Sequence, residues 1–181
     1  YVNDKSPVEV VTAYGASCAR FANGAVRCWG YSLPTRSDED SSYSIHDPWG
    51  LSQLDKVYGM SIGRGAACFI IGAEHQVRCY VAGGASGIPT DKRVGNGMGV
   101  QSSKPWVIES ATLAPLKNIM QVGVGANHVC ALQAVTGKVY CWGENTYKQL
   151  GNGTTSASSM AKEIKVVALN SGNGPFITDT V

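Results

Sequence analysis

Six cysteines at a repeating interval, hairpin-like runs centred on each cysteine pair, and strands apolar on both faces together predict an all-β fold of stacked β-propeller blades. Composition agrees with this. Glycine, at 22 of 181 residues, is about 12% against an average of about 7%. Glycine enters left-handed backbone at no steric cost, so such a content suits many tight turns between short strands. Charged residues are only 15% and the net charge is +2. Arg20, Arg27, Arg36, Arg64, Arg78 and Arg93 are dispersed, so no field favours nucleic acid or an anionic membrane surface. No run approaches the ~18 apolar residues that a membrane-spanning helix needs.

The first unit, residues 1–52, reads Tyr14-Gly15-Ala16-Ser17-Cys18-Ala19 and then Gly24-Ala25-Val26-Arg27-Cys28-Trp29-Gly30. The second, residues 53–115, reads Gly63-Arg64-Gly65-Ala66-Ala67-Cys68-Phe69 and then Gln76-Val77-Arg78-Cys79-Tyr80-Val81. The third, residues 116–181, reads Gly125-Ala126-Asn127-His128-Val129-Cys130 and then Gly137-Lys138-Val139-Tyr140-Cys141-Trp142-Gly143. First cysteines are 50 and 62 residues apart, and second cysteines 51 and 62. Val94-Gly95-Asn96-Gly97 matches Leu150-Gly151-Asn152-Gly153, and Asp47-Pro48-Trp49 matches Lys104-Pro105-Trp106.

In the third unit Ile119 to Val122 forms a strand-like run, and Val129 to Leu132 with Lys138 to Trp142 reads as a hairpin. Alternation places Cys130, Leu132, Val139 and Cys141 on one face, with Val129, Ala131, Tyr140 and Trp142 on the other. A sheet apolar on both faces must be covered twice, as when blades stack around a ring. Three blades do not close a ring, since propellers use about 4–8. We therefore expect either a longer chain or a second copy to complete it. The segment from Pro175 to Val181 resembles the approach to a fourth unit. The start at Tyr1-Val2-Asn3-Asp4, without Met, fits removal of an upstream segment by export cleavage or excision from a longer protein.

At the matched positions the repeat resembles that of the regulator-of-chromosome-condensation family. Its blades carry a Gly-rich entry, a hairpin ending in Trp-Gly, and a Gln-Leu-Gly turn. Cys141-Trp142-Gly143-Glu144-Asn145 with Gln149-Leu150-Gly151-Asn152-Gly153 is the nearest copy. The first unit lacks the Gln-Leu-Gly turn, and the second replaces Trp-Gly with Tyr80-Val81. The resemblance implies four-stranded blades. It also brings in nucleotide exchange on a small GTPase, the family's best-known activity, as an alternative function.

The cysteine spacings of 10, 11 and 11 centre each pair on its own hairpin turn. Opposed residues on antiparallel strands lie close enough for a disulfide. Of fifteen connectivities, only Cys18–Cys28, Cys68–Cys79 and Cys130–Cys141 repeats with the unit. The shorter first hairpin requires an odd-numbered loop or a bulge. The rival use of six cysteines, a metal site, would show Cys-x-x-Cys or a His at ligand spacing, and neither occurs. Disulfides imply an oxidising compartment, extracellular or periplasmic.

Chemistry is sparse. His128, before Cys130, reads as structural, as does His75 at a hairpin turn, and no Gly-x-Ser-x-Gly elbow accompanies the serines. Asp38-Glu39-Asp40 lacks the alternating ligands of a calcium loop, and the glycine strings lack the Lys-Ser/Thr of a phosphate cradle. We expect no enzyme activity, no metal and no cofactor. Asn152-Gly153-Thr154 is a glycosylation sequon on a predicted loop. The long segments 31–47 and 82–104 suit binding, with Tyr43 and Tyr147 as the surface candidates, whereas Trp49 and Trp106 recur in register and read as packing. The expected function is an extracellular scaffold for a protein partner, which includes self-association or further blades. A carbohydrate-binding propeller is the other alternative.

Overall fold

The computed structural model describes residues 6–30, 56–81, 92–98 and 106–164. Regular structure there is strand, apart from a short 3-10 turn at Lys92–Val94. Strands β1 (Pro7–Ala13), β2 (Ala16–Phe21) and β3 (Val26–Gly30) form the first antiparallel sheet. Strands β4 (Val57–Gly63), β5 (Ala66–Ile71) and β6 (Gln76–Val81) form the second. Strands β7 (Ile119–Val124), β8 (His128–Gln133), β9 (Val139–Gly143) and β10 (Ser158–Ile164) form the third, in that spatial order.

The expected four strands are complete in the third blade. In the second, the fourth position is held by a single bridge between Trp106 and Arg78, with the Val107 amide donating to the Val77 carbonyl at 3.0 Å. The matching stretch of the first unit lies outside the described residues.

Each hairpin sets its two cysteines directly opposite one another. Cys18 pairs with Cys28, Cys68 with Cys79 and Cys130 with Cys141 in the strand register, and each pair is a disulfide. Their Cα atoms are 4.1, 4.1 and 4.2 Å apart, the close approach of a non-hydrogen-bonded antiparallel pair. The shorter first hairpin closes as anticipated. Phe21 bonds to Ala25 across residues 22–24, an odd loop with Gly24 at φ +88°, whereas residues 72–75 and 134–137 make even ones.

The alternation of side chains decides how blades stack. In the first blade Val11, Ala13, Cys18, Val26 and Cys28 face the second, where they meet Ile62, Ala67, Phe69, Ile71 and Tyr80. The opposite face of the second blade carries Cys68, Ile70, Val77 and Cys79. These pack on Val122, Val129, Ala131, Tyr140 and Trp142 of the third. The disulfide-bearing face of each sheet thus seats on the aromatic-bearing face of the next. Large side chains buried at these junctions contribute about 1.5–3 kcal/mol each. Cys141 and partly buried Cys130 end the described stack, packed with Leu150 and Ile164. At the other end Val8 and Val10 of β1 remain 53% and 62% exposed.

Residues 92–98 and 106–110 belong by position to the second unit, yet they pack against the third. Asn96 bridges to Met160 and Glu109 to Ala161 of β10.

Candidate interaction face

Strand direction sorts the described turns to one of two ends. The hairpins at 22–24, 72–75 and 134–137 fall at one end. There their carbonyls accept hydrogen bonds from the next blade: Val57 N–H to Gly24 O, Ile119 N–H to His75 O and Asn118 N–H to Glu74 O. The turns after the first strand of each sheet, at Tyr14-Gly15, Arg64-Gly65 and residues 125–127, fall at the other. So do the exits from β3, β6 and β9. We call this the loop end.

Close backbone contact holds the loop end together. A Cβ on Gly63 would lie 2.6 Å from the Gly125 carbonyl and 2.7 Å from Val124, so only glycine lets the two blades meet here. The Val124 amide donates to Ser61 Oγ at 3.0 Å across the same junction. Arg93, leaving the 3-10 turn, clamps both turns through Nη1, donating to the carbonyls of Arg64 and Ala126, the latter at 2.8 Å. Its own carbonyl accepts the Trp142 indole N–H at 2.8 Å. The Trp-Gly pairs have a matching reason. Gly143 at φ +109° passes so close to Asn127 and His128 that a side chain would clash, and Gly30 at φ +104° meets Gly15 and Ala16 likewise. Val81 has no positive φ, which is how the second unit manages without the glycine.

Asn145 organises the loop between β9 and β10. Fully buried, its Nδ2 lies within hydrogen-bonding reach of Asn152 Oδ1 (3.0 Å), Thr154 O (2.9 Å), Thr154 Oγ1 (3.3 Å) and Ser156 O (3.2 Å). Its Oδ1 accepts from the Leu150 amide at 2.9 Å, which anchors Leu150 in the core. Asn152, the sequon asparagine, is 7% exposed, and its Oδ1 also accepts from the Thr154 amide and hydroxyl. Its side chain therefore works within the loop, and transfer of a sugar to its nitrogen would have to precede folding of this segment.

Tyr147, the other candidate in the described residues, is 89% exposed at the loop tip, with its amide donating to Gln149 Oε1 at 2.8 Å. Tyr43, His46, Trp49 and the acidic run Asp38-Glu39-Asp40 lie outside the described residues. Trp106 stacks on the Arg78 guanidinium, 3.8 Å from ring centroid to Cζ, a packing contact that leaves Arg78 Nε buried without a hydrogen-bond partner. His128 is half-buried with its ring against Gly125, and desolvation lowers its pKa below the usual imidazole value. Burial also raises the phenols of Tyr80 and Tyr140. His75 lies at the hairpin end, 4.4 Å from the Tyr58 ring. Among the described residues, no three His, Cys, Asp or Glu side chains gather as metal ligands, and no helix is long and apolar enough to cross a membrane.

Two features of the loop end carry no mark in the sequence motifs. Tyr14 is a bulky residue at φ +45°, 70% exposed, and the guanidinium of Arg64 lies 5.5 Å from its ring centroid. The two residues are fifty positions apart, and only the repeat alignment, which sets both in the turn after the first strand, places them side by side.

Family models for the regulator of chromosome condensation (RCC1) repeat match residues 119–149 and 136–172. The human and mouse E3 ubiquitin-protein ligase HERC2 are each 42% identical over 66 residues, which is 36% of this chain and 1% of theirs. Human WBSCR16 superposes with a TM-score of 0.59 at 19% identity, over 90% of this chain and 41% of its own. Prp20p from Saccharomyces cerevisiae, whose structure is described with its binding to Gsp1p and histones, superposes at 0.55 with 21% identity, over 91% and 37%. The same yeast protein bound to Kap60 gives 0.56. Residues 119–172 are thus RCC1-type repeat sequence, and the described blades have the fold of the RCC1-type β-propellers.

Proposed function

We propose that the chain is a protein-binding scaffold, without catalysis of its own, that works in an oxidising compartment and meets its partner with the loop end. The observation that carries this is the contrast between the two ends of the blades: the hairpin turns close one end onto the next blade, while at the other β3, β6 and β9 exit beside turns that Arg93 clamps. Three disulfides support the oxidising setting, since such bonds rarely persist in reducing cytosol or nucleus. Among the solved relatives, Prp20p binds Gsp1p, histones and Kap60, which supports the scaffold as a surface for protein partners. The apolar outer face of the first blade, with Val8 and Val10, suits a further blade or a second copy.

Photo-crosslinking tests the reading. A benzophenone side chain is placed at Tyr147 of the loop end or at Val135 of the hairpin end, both fully presented to solvent. Protein adducts in the native medium are expected from Tyr147 and not from Val135. Adducts confined to Val135, or none from the loop end, would overturn it. Exchange activity is tested separately by nucleotide release from a small GTPase, where no acceleration is expected.

A further inference from the structure

Arg64 and Tyr14 form a cation–aromatic pair at the loop end, on a turn that strains the tyrosine. Among the described residues the Arg64 guanidinium makes no hydrogen bond and no ion pair; its one contact is the face of Tyr14. At 5.5 Å from the ring centroid the guanidinium is within cation–π range of Tyr14 with its N–H donors unengaged, and a guanidinium fork meets a carboxylate with two parallel bonds. Tyr14 supplies that ring at a conformational cost. Tyr14 at φ +45° and Gly15 at φ +88° give the two positive values of a type I′ turn, whose first position favours Asn, Asp or Gly and penalises a large side chain. A strained, exposed aromatic beside an unpaired cation is poorly explained by stability.

We propose that this pair is an anchor for a carboxylate of the partner, an Asp or Glu side chain on an acidic protein segment. The inference rests on reading the loop end as the binding face. A carboxylate fits better than a phosphate. The neighbouring cations are engaged, with Lys92 beside Glu144 at 3.8 Å and Arg93 Nη1 on two carbonyls. One free guanidinium near a carboxylate matches a single negative charge, whereas a dianion calls for several cations or a nest of amides.

The test uses the full chain and a short fluorescein-labelled peptide of alternating Glu and Gly, followed by anisotropy at low and physiological salt. Salt-sensitive binding is expected. Arg64→Ala should weaken it about tenfold or more, since charge-assisted bonds are lost, and Arg64→Lys should fall between, having charge but no fork. Arg64→Ala leaves the Arg93 clamp intact, because that clamp uses the backbone carbonyl. Tyr14→Asn should weaken binding several-fold while raising the thermal midpoint, an opposition that a purely structural tyrosine would not produce. Lys56→Ala, at the hairpin end, should bind as the parent does. Absence of binding by the parent chain, or equal binding by Arg64→Ala, overturns the proposal. A phosphoserine peptide binding more than tenfold tighter than the Glu peptide overturns the choice of carboxylate. The two readings fail separately: crosslinks can report a partner at the loop end while Arg64 proves indifferent, or the converse.

Discussion

The two ends of the blades are built from the same strands but handle charge and strain in opposite ways. At the hairpin end, Lys117 meets Glu74 at 2.8 Å and Lys138 meets Glu163 at 2.8 Å, and backbone amides of the next blade donate to the carbonyls of the turns. At the loop end, Arg64 stands without a counter-ion among the described residues, Tyr14 holds a strained backbone, and Tyr147 projects into solvent. Exposed ion pairs contribute only about 0–1 kcal/mol, so the pairing at the hairpin end is not a large source of stability. Lys56 there lies over the Tyr58 ring at 5.4 Å, a flexible ammonium without a fork, so the ends differ in the fork of Arg64 and in the turn strain of Tyr14. It is this strained, forked pair that the loop end has to offer a partner.

The strongest way to break this contrast is through Trp142, which joins the buried junction to the loop end. Its ring is fully buried and its N–H holds the Arg93 carbonyl. Trp142→Ala should cost about 3–5 kcal/mol in denaturant unfolding. Trp142→Phe, which keeps most of the packing and loses the bond, should cost about 1–2 kcal/mol and loosen the Arg93 clamp. Faster amide exchange at Gly125 than at Gly24 in Trp142→Phe would show that the loss is felt at the loop end. Equal change at both ends would dissolve the division.

The disulfides act at the middle of the hairpins and affect both ends. Closing a loop with a sequence separation of 11 contributes about 3 kcal/mol in the chain-entropy model, so joint replacement of Cys68 and Cys79 by Ala should lower stability by roughly that much. Burial grades their reactivity. Cys68 and Cys79 are sealed between two blades, while Cys130 is only partly covered. Mild reductant followed by alkylation and peptide mapping should label Cys130 and Cys141 before the other four.

Asn145 offers a more local test. Asn145→Ala removes the acceptor for the Leu150 amide and the donor for Asn152 and Thr154, all in a buried setting. The expected cost is about 2–3 kcal/mol, confined to the β9–β10 loop. Calorimetric loss accompanied by protease nicking near Tyr147, with the disulfide-stapled hairpins intact, would sharpen the picture of a loop end that folds as its own unit. Global unfolding at the same temperature would count against it.

The hairpins were legible because their determinants are local. Cysteines 10 or 11 apart, a period of two in Val129 to Leu132, and a glycine at the odd turn are short-range signals that strand geometry converts directly into pairing. The stacking faces followed as well, since Tyr140 and Trp142 lie on the non-cysteine face. The loop end was not legible in the same way. Arg93 reaches carbonyls 29 and 33 residues away, and a side chain bonded to backbone leaves no residue-type signature at its target. Arg78 on Trp106 likewise joins a strand to a segment whose only visible mark was its Pro-Trp landmark. Asn152 illustrates the ambiguity of motifs: one tripeptide satisfies both a sequon and a turn, and only the burial of its side chain separates the two uses.

The smallest expected effect concerns pH. His128 sits at the loop end with its ring against Gly125, and burial holds its pKa below the unfolded value of about 6.5. The folded state therefore binds fewer protons than the unfolded state in the window between those two values. Stability is complete above the unfolded pKa and is lost as pH falls from there toward the folded pKa, below which both states are protonated and the loss stops. Because the ring is only half-buried, solvent screening keeps the change small. Thermal midpoints measured from pH 7.5 down to 4.5, a range of about three units centred near the imidazole value, should decline more gently in His128→Gln than in the parent. A parallel decline in the two chains would assign the acid sensitivity to groups other than His128. The slope difference thus reports what the half-buried imidazole of the loop end adds to the acid sensitivity of the fold.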